Sequence, residues 1–284
     1  MIESRNEDGQ DVNLLVIGTV AIDQIGAVDG AIGARNVKIQ SIQTQRGGCG
    51  GNIAYNLALL DQPHTLFAYA GNDFQTYREA LAQFDQRRLL LQERTDQTTA
   101  RCYVFTDHHG EQFTAFQPLQ VSDDEYEAAL LRALADAPPS LAIIAPDEPT
   151  KMSIALASMP QATTVLWAPG QYTELMDPDT RLRLGQLADW IVVNSAELDS
   201  WPDAPRERCV VTDGARAVRH ADQRFDVPPQ TAIDPTGCGD AFTAAFAAMI
   251  ARDQPIEDAI AQGIAFAGCC LLEHGAQNHR APMS

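Results

Sequence analysis

The chain has 284 residues, 45% of them hydrophobic and 20% charged, enough for one large α/β domain or two ordinary ones with a substantial core. Its formal net charge of -18 argues against a nucleic-acid backbone or an anionic membrane as the main partner. Lys38 and Lys151 are the only lysines, so almost all the positive charge is arginine.

Met1 to Gln10 is polar and lacks the apolar stretch of a secretory signal; it reads as a short disordered leader. Asn13 to Gly18 is an apolar run ending in Gly, the pattern of a buried strand. Residues 20–28 and 36–42 alternate polar and apolar, as strands with one exposed face do. A helix is predicted over Gly51 to Leu60, a strand over His64 to Ala70 and a helix over Phe74 to Phe84. Residues 99–106 and 111–117 alternate around His108-His109-Gly110 as a hairpin. Such a tip is more readily a solvated turn than a metal site, because no further ligand lies nearby in sequence.

From Ser122 the alternation of helix and strand is regular. Ser122 with Glu125 forms a capping-box pattern. Strands follow at Leu141 to Ala145, Thr163 to Ala168, Trp190 to Val193 and Cys209 to Thr212, with helices at Lys151 to Ser158 and about 179–188. The chain closes with helices near 238–251 and 256–273. Repeated strand–helix units imply a mainly parallel sheet covered on both faces. Residues 1–284 therefore read as one compact domain, with segments 20–42 and 99–117 as a small β lid.

No apolar run approaches the roughly 20 residues that span a bilayer. Cys49, Cys102, Cys209, Cys238, Cys269 and Cys270 show no Cys-x-x-Cys spacing, which suits reduced thiols in a cytoplasmic protein.

Neither lysine is followed by Ser or Thr, so a Walker P-loop is excluded. Two glycine clusters remain, Gly47-Gly48-Cys49-Gly50-Gly51-Asn52 and Gly237-Cys238-Gly239-Asp240. The second opens an apolar helix, where free backbone N–H groups can face an anion. Asp240 in that first turn is either the base for an acceptor hydroxyl or a plain complement to the helix dipole. The first cluster also resembles a dinucleotide fingerprint, with Asp73 at a distance suited to a ribose contact. However, Ile53 stands where the third glycine belongs.

Taken together, the early cluster and the late run Asp234-Pro-Thr-Gly-Cys-Gly-Asp240 resemble the two signatures of the ribokinase-like, or PfkB, kinase family. Asp23 after the first strand, Asn194-Ser-Ala-Glu197 and Val211-Thr-Asp-Gly214 fall in the family's order, and the likeness runs from about residue 13 to 280. Thr114-Ala-Phe116, Pro169-Gly-Gln171 and Gly275-Ala-Gln-Asn-His-Arg280 look most like bacterial adenosine kinases.

The resemblance implies a ribokinase-like three-layer α/β/α domain with a central, mainly parallel sheet and a small β lid. It implies transfer of the γ-phosphoryl group of MgATP to a primary hydroxyl, with the 5′-OH of adenosine foremost and ribose or another sugar as the alternative. Asp240 matches the catalytic base, and Gly237, Cys238 and Gly239 match the anion hole. Asp23, Gly48 and Asn52 match positions that hold sugar hydroxyls, a role for which a carboxylate and an amide are chemically suited. Without the family pattern Asp23 reads as a turn residue and Asn52 as a cap. Asn194 and Glu197 match a motif tied to Mg2+ and phosphate, although they also read as a helix cap. Thr212 and Gly214 match the loop that borders the nucleotide, and Asp234 a monovalent-cation position, K+ in several members.

Ala168, Asp213 and Ala217 depart from the family pattern, and an acid at 213 is unfavourable beside phosphate unless it points away. Partners are then ATP and a nucleoside or sugar, with a homodimer open through the lid edges. A non-catalytic nucleotide-binding protein and an NAD-dependent enzyme are the readings from other classes.

Overall fold

In the computed structural model, residues 12–33, 36–82, 87–109 and 111–281 are described. The leader and the end of the helix expected to reach Phe84 lie outside them. The chain begins with β1 (Leu14–Ile17) and passes into a small sheet through β2 (Ala21–Asp29) and β3 (Lys38–Gly47). It returns by α1 (Cys49–Leu59) to β4 (His64–Gly71), α2 (Gln75–Ala82) and β5 (Arg87–Arg94), and completes the small sheet with β6 (Ala100–Thr106) and β7 (Gln112–Gln117). Then come α3 (Asp123–Asp136), β8 (Leu141–Ile144), α4 (Pro149–Ser158), β9 (Thr164–Trp167) and α5 (Pro178–Gly185). These are followed by β10 (Trp190–Asn194), α6 (Ser195–Asp199) and β11 (Cys209–Thr212). A hairpin of β12 (Ala217–His220) and β13 (Gln223–Asp226) precedes α7 (Cys238–Ile250) and α8 (Ile256–Cys270).

Among the described residues, nine strands form the main sheet in the order β13-β12-β11-β10-β9-β8-β1-β4-β5. Pairing is parallel from β5 across to β11 and antiparallel through β12 and β13. The sequence of β1 explains its central place: all four residues of Leu-Leu-Val-Ile are buried, as a strand covered on both faces requires. Leu14 and Val16 join Ile53 of α1, Phe242 of α7 and Ile260 of α8 in one core. Leu15 and Ile17 join Tyr126 of α3, Met152 of α4 and Leu184 of α5 in the other. The result is three layers, α/β/α. Residues Ala241 to Ala248 of α7 are all buried, which holds that helix's N-terminus in a fixed place.

The small sheet has the order β3-β2-β6-β7, with β2 and β6 parallel. It leaves Ile39, Ile42, Phe113 and Phe116 exposed by 41–51%. The strand expected over 36–42 runs on to Gly47, because its ladder with β2 continues to the Ala21–Gly47 pair. Sequence reading missed β5 and the β12–β13 hairpin. Arg-Arg-Leu-Leu-Leu-Gln-Glu-Arg hides an edge strand behind its charges, and the two hairpin strands have four residues each.

Candidate active site

Helices α1 and α7 pack together, and their opening turns carry the two glycine clusters. Gly48 caps α1 at φ 83°, and a side chain there would meet Ala21 N and Thr19 O at 2.6 Å. Gly237 caps α7 in the left-handed conformation at φ 81°, against Ala276. A Cβ on Gly239 would meet nothing within 4 Å, so the backbone there faces open space.

Asp240 lies in the first turn of α7. Asn52 donates from Nδ2 to Asp240 Oδ2 at 2.8 Å, and the Cys49 thiol shares the same carboxyl. Burial is the main influence on Asp240 and pushes it up to about 7; bonds from Asn52 and Cys49 pull against that, and Asp23's charge adds to it. Asn52 is itself held in place. Its Oδ1 accepts from Gln277 Nε2 at 2.9 Å, which also reaches the Tyr77 hydroxyl at 2.5 Å, and Tyr77 donates to the Gly47 carbonyl at 2.8 Å. One turn along α1, Asn56 donates to the Asn52 carbonyl at 2.9 Å and accepts from His279 Nε2 at 2.8 Å. Burial pushes His279 down to about 4, which keeps it neutral.

Asp23 on β2 faces Gly47, where a Cβ would fall 2.0 Å from its Oδ2. Its Oδ1 is buried with no hydrogen-bond partner among the described residues, and burial pushes the carboxyl up to about 6. A buried acceptor left alone costs about 1–3 kcal/mol, a cost that a hydrogen-bond donor placed beside it would remove.

Two cavities meet the start of α7. One of about 190 Å3 is lined by Asp240, Gly237, Gly239, Asn194, Glu197 and Thr212. Asn194 and Glu197 form a complete capping box there. Glu197 Oε2 accepts from Asn194 N at 2.9 Å and Oε1 from Asn194 Nδ2 at 2.7 Å. The other, of about 460 Å3, is mostly apolar, with Val218, Val227, Phe242 and Ile264 beside Thr212, Gly214 and Cys238. Its size and lining suit a flat heterocycle.

Asp234 borders neither cavity. Its oxygens accept from Thr236 N and Gly275 N, both at 2.9 Å, tying the α7 loop to the C-terminal turn. Asp213 accepts from Arg216 at 2.5 Å, and that cation offsets its charge. Among the described residues no three His, Cys, Asp or Glu side chains gather as a metal site, His108 and His109 included. Sequence reading did not assign Gln277 and Tyr77, which fix Asn52. Gln277 stood inside the Gly275 to Arg280 stretch, but only folding reveals its partner 225 positions away.

The three-layer α/β/α domain with a second, small sheet is the ribokinase-like fold, and Asp240 sits in it at a glycine-capped helix start. The chain matches the pfkB family of carbohydrate kinases over residues 12–282 and belongs to that family. It is accordingly a kinase, a phosphotransferase with an alcohol group as acceptor. Its fold is similar to that of a Burkholderia thailandensis nucleoside kinase in complex with inosine (TM-score 0.78, 26% identity, 94% of this chain and 93% of that one). It is also similar to a Methanocaldococcus jannaschii nucleoside kinase (TM-score 0.81, 21% identity, 95% and 94%). A ribokinase from Thermotoga maritima aligns as well (TM-score 0.78, 18% identity, 94% and 95%). No curated protein sequence matches. No described helix is long and apolar enough to cross a membrane.

Proposed function

We propose that the protein transfers the γ-phosphoryl group of ATP to the 5′-hydroxyl of a ribonucleoside, with adenosine the expected acceptor and AMP the product. The observation that carries this reading is Asp240, half-buried in the first turn of α7 and held by Asn52. Its raised pKa makes it a stronger base than an ordinary carboxylate, suited to take the hydroxyl proton as the new bond forms. Asp23 binds the ribose diol, its buried Oδ1 gaining the partner it lacks. The N–H groups of Gly237, Cys238 and Gly239 face the charge that develops on the phosphoryl oxygens. The 460 Å3 cavity takes the adenine of ATP beside Thr212 and Gly214.

Magnesium, when bound, would supply positive charge to offset that of the phosphates. Glu197 and Asn194 border the phosphate side, and because both Glu197 oxygens already accept from Asn194, that pair fits the ion through water. Asp234, the residue assigned to K+, holds the loop that carries Gly237.

Free ribose would use the same Asp23, Asn52 and Asp240. The deciding experiment is phosphate transfer from MgATP across adenosine, other nucleosides, ribose and fructose. Turnover highest on adenosine supports the reading, and turnover on sugars with none on nucleosides overturns it.

A further inference from the structure

Cys238 opens α7 and Cys270 closes α8, and the fold sets these two thiols side by side. The Cys270 Sγ donates to Thr236 O at 3.3 Å, two residues before Cys238, and the two thiols share a hydrogen bond. Backbone bonds hold the contact in place: Ile233 N and Asp234 N both donate to Leu271 O, at 2.8 and 3.3 Å. The two thiols differ in their surroundings. Cys270 is fully buried, whereas Cys238 is half-buried and lines the cavity of about 460 Å3 beside Gly239. Cys238 also sits at a helix N-terminus, where the dipole favours a thiolate. The hydrogen bond from Cys270 holds the Cys238 thiol below its ordinary value, against burial and the charges of Asp234 and Asp240, and makes the Cys270 proton harder to remove. One sulfur is therefore open to attack a reagent in the cavity, and the other stands behind it.

We propose that Cys238 and Cys270 are an oxidative modification site: a hydroperoxide entering the large cavity oxidises Cys238, and Cys270 closes a disulfide that takes the anion loop out of use. The effect on turnover rests on the role given above to residues 237–239; the thiol chemistry does not. In the first step the Cys238 sulfur attacks one peroxide oxygen and the O–O bond breaks. The other oxygen leaves as water or an alcohol with the Cys238 proton, and Cys238 becomes a sulfenic acid. The Cys270 sulfur then attacks that sulfur, the S–O bond breaks, and the hydroxyl leaves as water with the Cys270 proton. Two electrons pass from the thiol pair to the peroxide. The new bond draws the first residue of α7 toward the end of α8, which shifts the N–H groups beside it from the places where phosphoryl charge develops.

The test treats the full chain with excess hydrogen peroxide and follows two readouts. One is phosphoryl transfer from MgATP to whichever of adenosine, ribose or fructose the protein turns over, so a failure of the nucleoside reading does not disturb the result. The other is a peptide mass map taken without reductant. Turnover is expected to fall about tenfold or more and to return with dithiothreitol, in step with a Cys238–Cys270 cross-link marked by the loss of two hydrogens. Saturating ATP is expected to slow both, since Cys238 lines the cavity assigned to its adenine. In Cys270→Ser, Cys238 is expected to proceed to the sulfinic acid, and dithiothreitol no longer restores turnover. Should that variant not fold, Cys270→Ala carries the same comparison. Inactive protein without the cross-link, a cross-link from Cys238 to Cys269 instead, equal loss with and without ATP, or a loss that stays reversible in Cys270→Ser each overturns the proposal. A Cys238–Cys270 cross-link with turnover unchanged overturns its control of the loop, together with the anion-hole role of residues 237–239.

Discussion

Around the floor of the site Asp240, Asn52, Gln277 and Tyr77 are joined by hydrogen bonds of 2.5–2.9 Å that leave Gln277 Oε1 unpaired at their far end, whereas in the small sheet it is the carboxylate itself, Asp23 Oδ1, that is buried with no partner among the described residues. The floor rests on α7, eight of whose residues pack in the core, while the small sheet exposes Ile39, Ile42, Phe113 and Phe116. The contrast separates two tasks. Groups that handle the transferred phosphoryl must already be in position, since reorganising them would add to the barrier. Groups that bind the acceptor gain by being incomplete until it arrives.

Breaking the floor should have the largest effect. Asp240→Asn is expected to lower kcat by about two orders of magnitude or more while calorimetry shows nucleoside binding retained. The same variant sharpens the electrostatic side of the comparison. The folded carboxyl titrates at about 7 against 3.8 for an unperturbed aspartate, so the folded protein holds its proton to higher pH. Stability is therefore undiminished below the lower value and reduced above the higher one. Denaturant unfolding at pH 8 should find Asp240→Asn more stable by up to about 4 kcal/mol, a gain that vanishes near pH 4.

Asp23→Ala tests the other region. It should raise the acceptor KM by about tenfold or more and leave the KM for ATP nearly unchanged. Equal effects on both substrates would remove Asp23 from the acceptor clamp. A smaller effect is expected from Gln277→Leu, which leaves Asn52 Oδ1 unpaired and lets the amide shift. A loss of about tenfold in kcat with little change in either KM would mark it as a positioning residue for the floor.

The two regions were also unequally legible in the sequence. Asp240, Gly237 and Gly239 could be read because glycine at a helix start and an acid in its first turn form a local pattern. Asp23 and Asn52 gained their meaning from order along the chain, and the structure brings Asn52 onto Asp240 across 188 positions. Gln277 was noticed only as part of a resembling stretch and Tyr77 not at all, since their roles depend on contacts between distant segments. Most strands of the main sheet were visible as apolar runs. β5 was not, because an edge strand faces water along one side and takes charge there. The Asn194–Glu197 pair shows a limit of motif reading: the capping box is present in full, so the same residues satisfy a structural need as well as the proposed magnesium role.

The central claim, that Asp240 with its raised pKa is the base, is tested most directly by the pH dependence of kcat/KM for the acceptor. An ordinary carboxylate would leave that profile flat from pH 5 to 9. With Asp240 at about 7 and Asp23 at about 6, both required in ionised form, kcat/KM should be level above pH 8. It should fall tenfold per unit as pH drops below about 7, and more steeply below about 6. A profile that stays flat down to pH 5 would contradict the account.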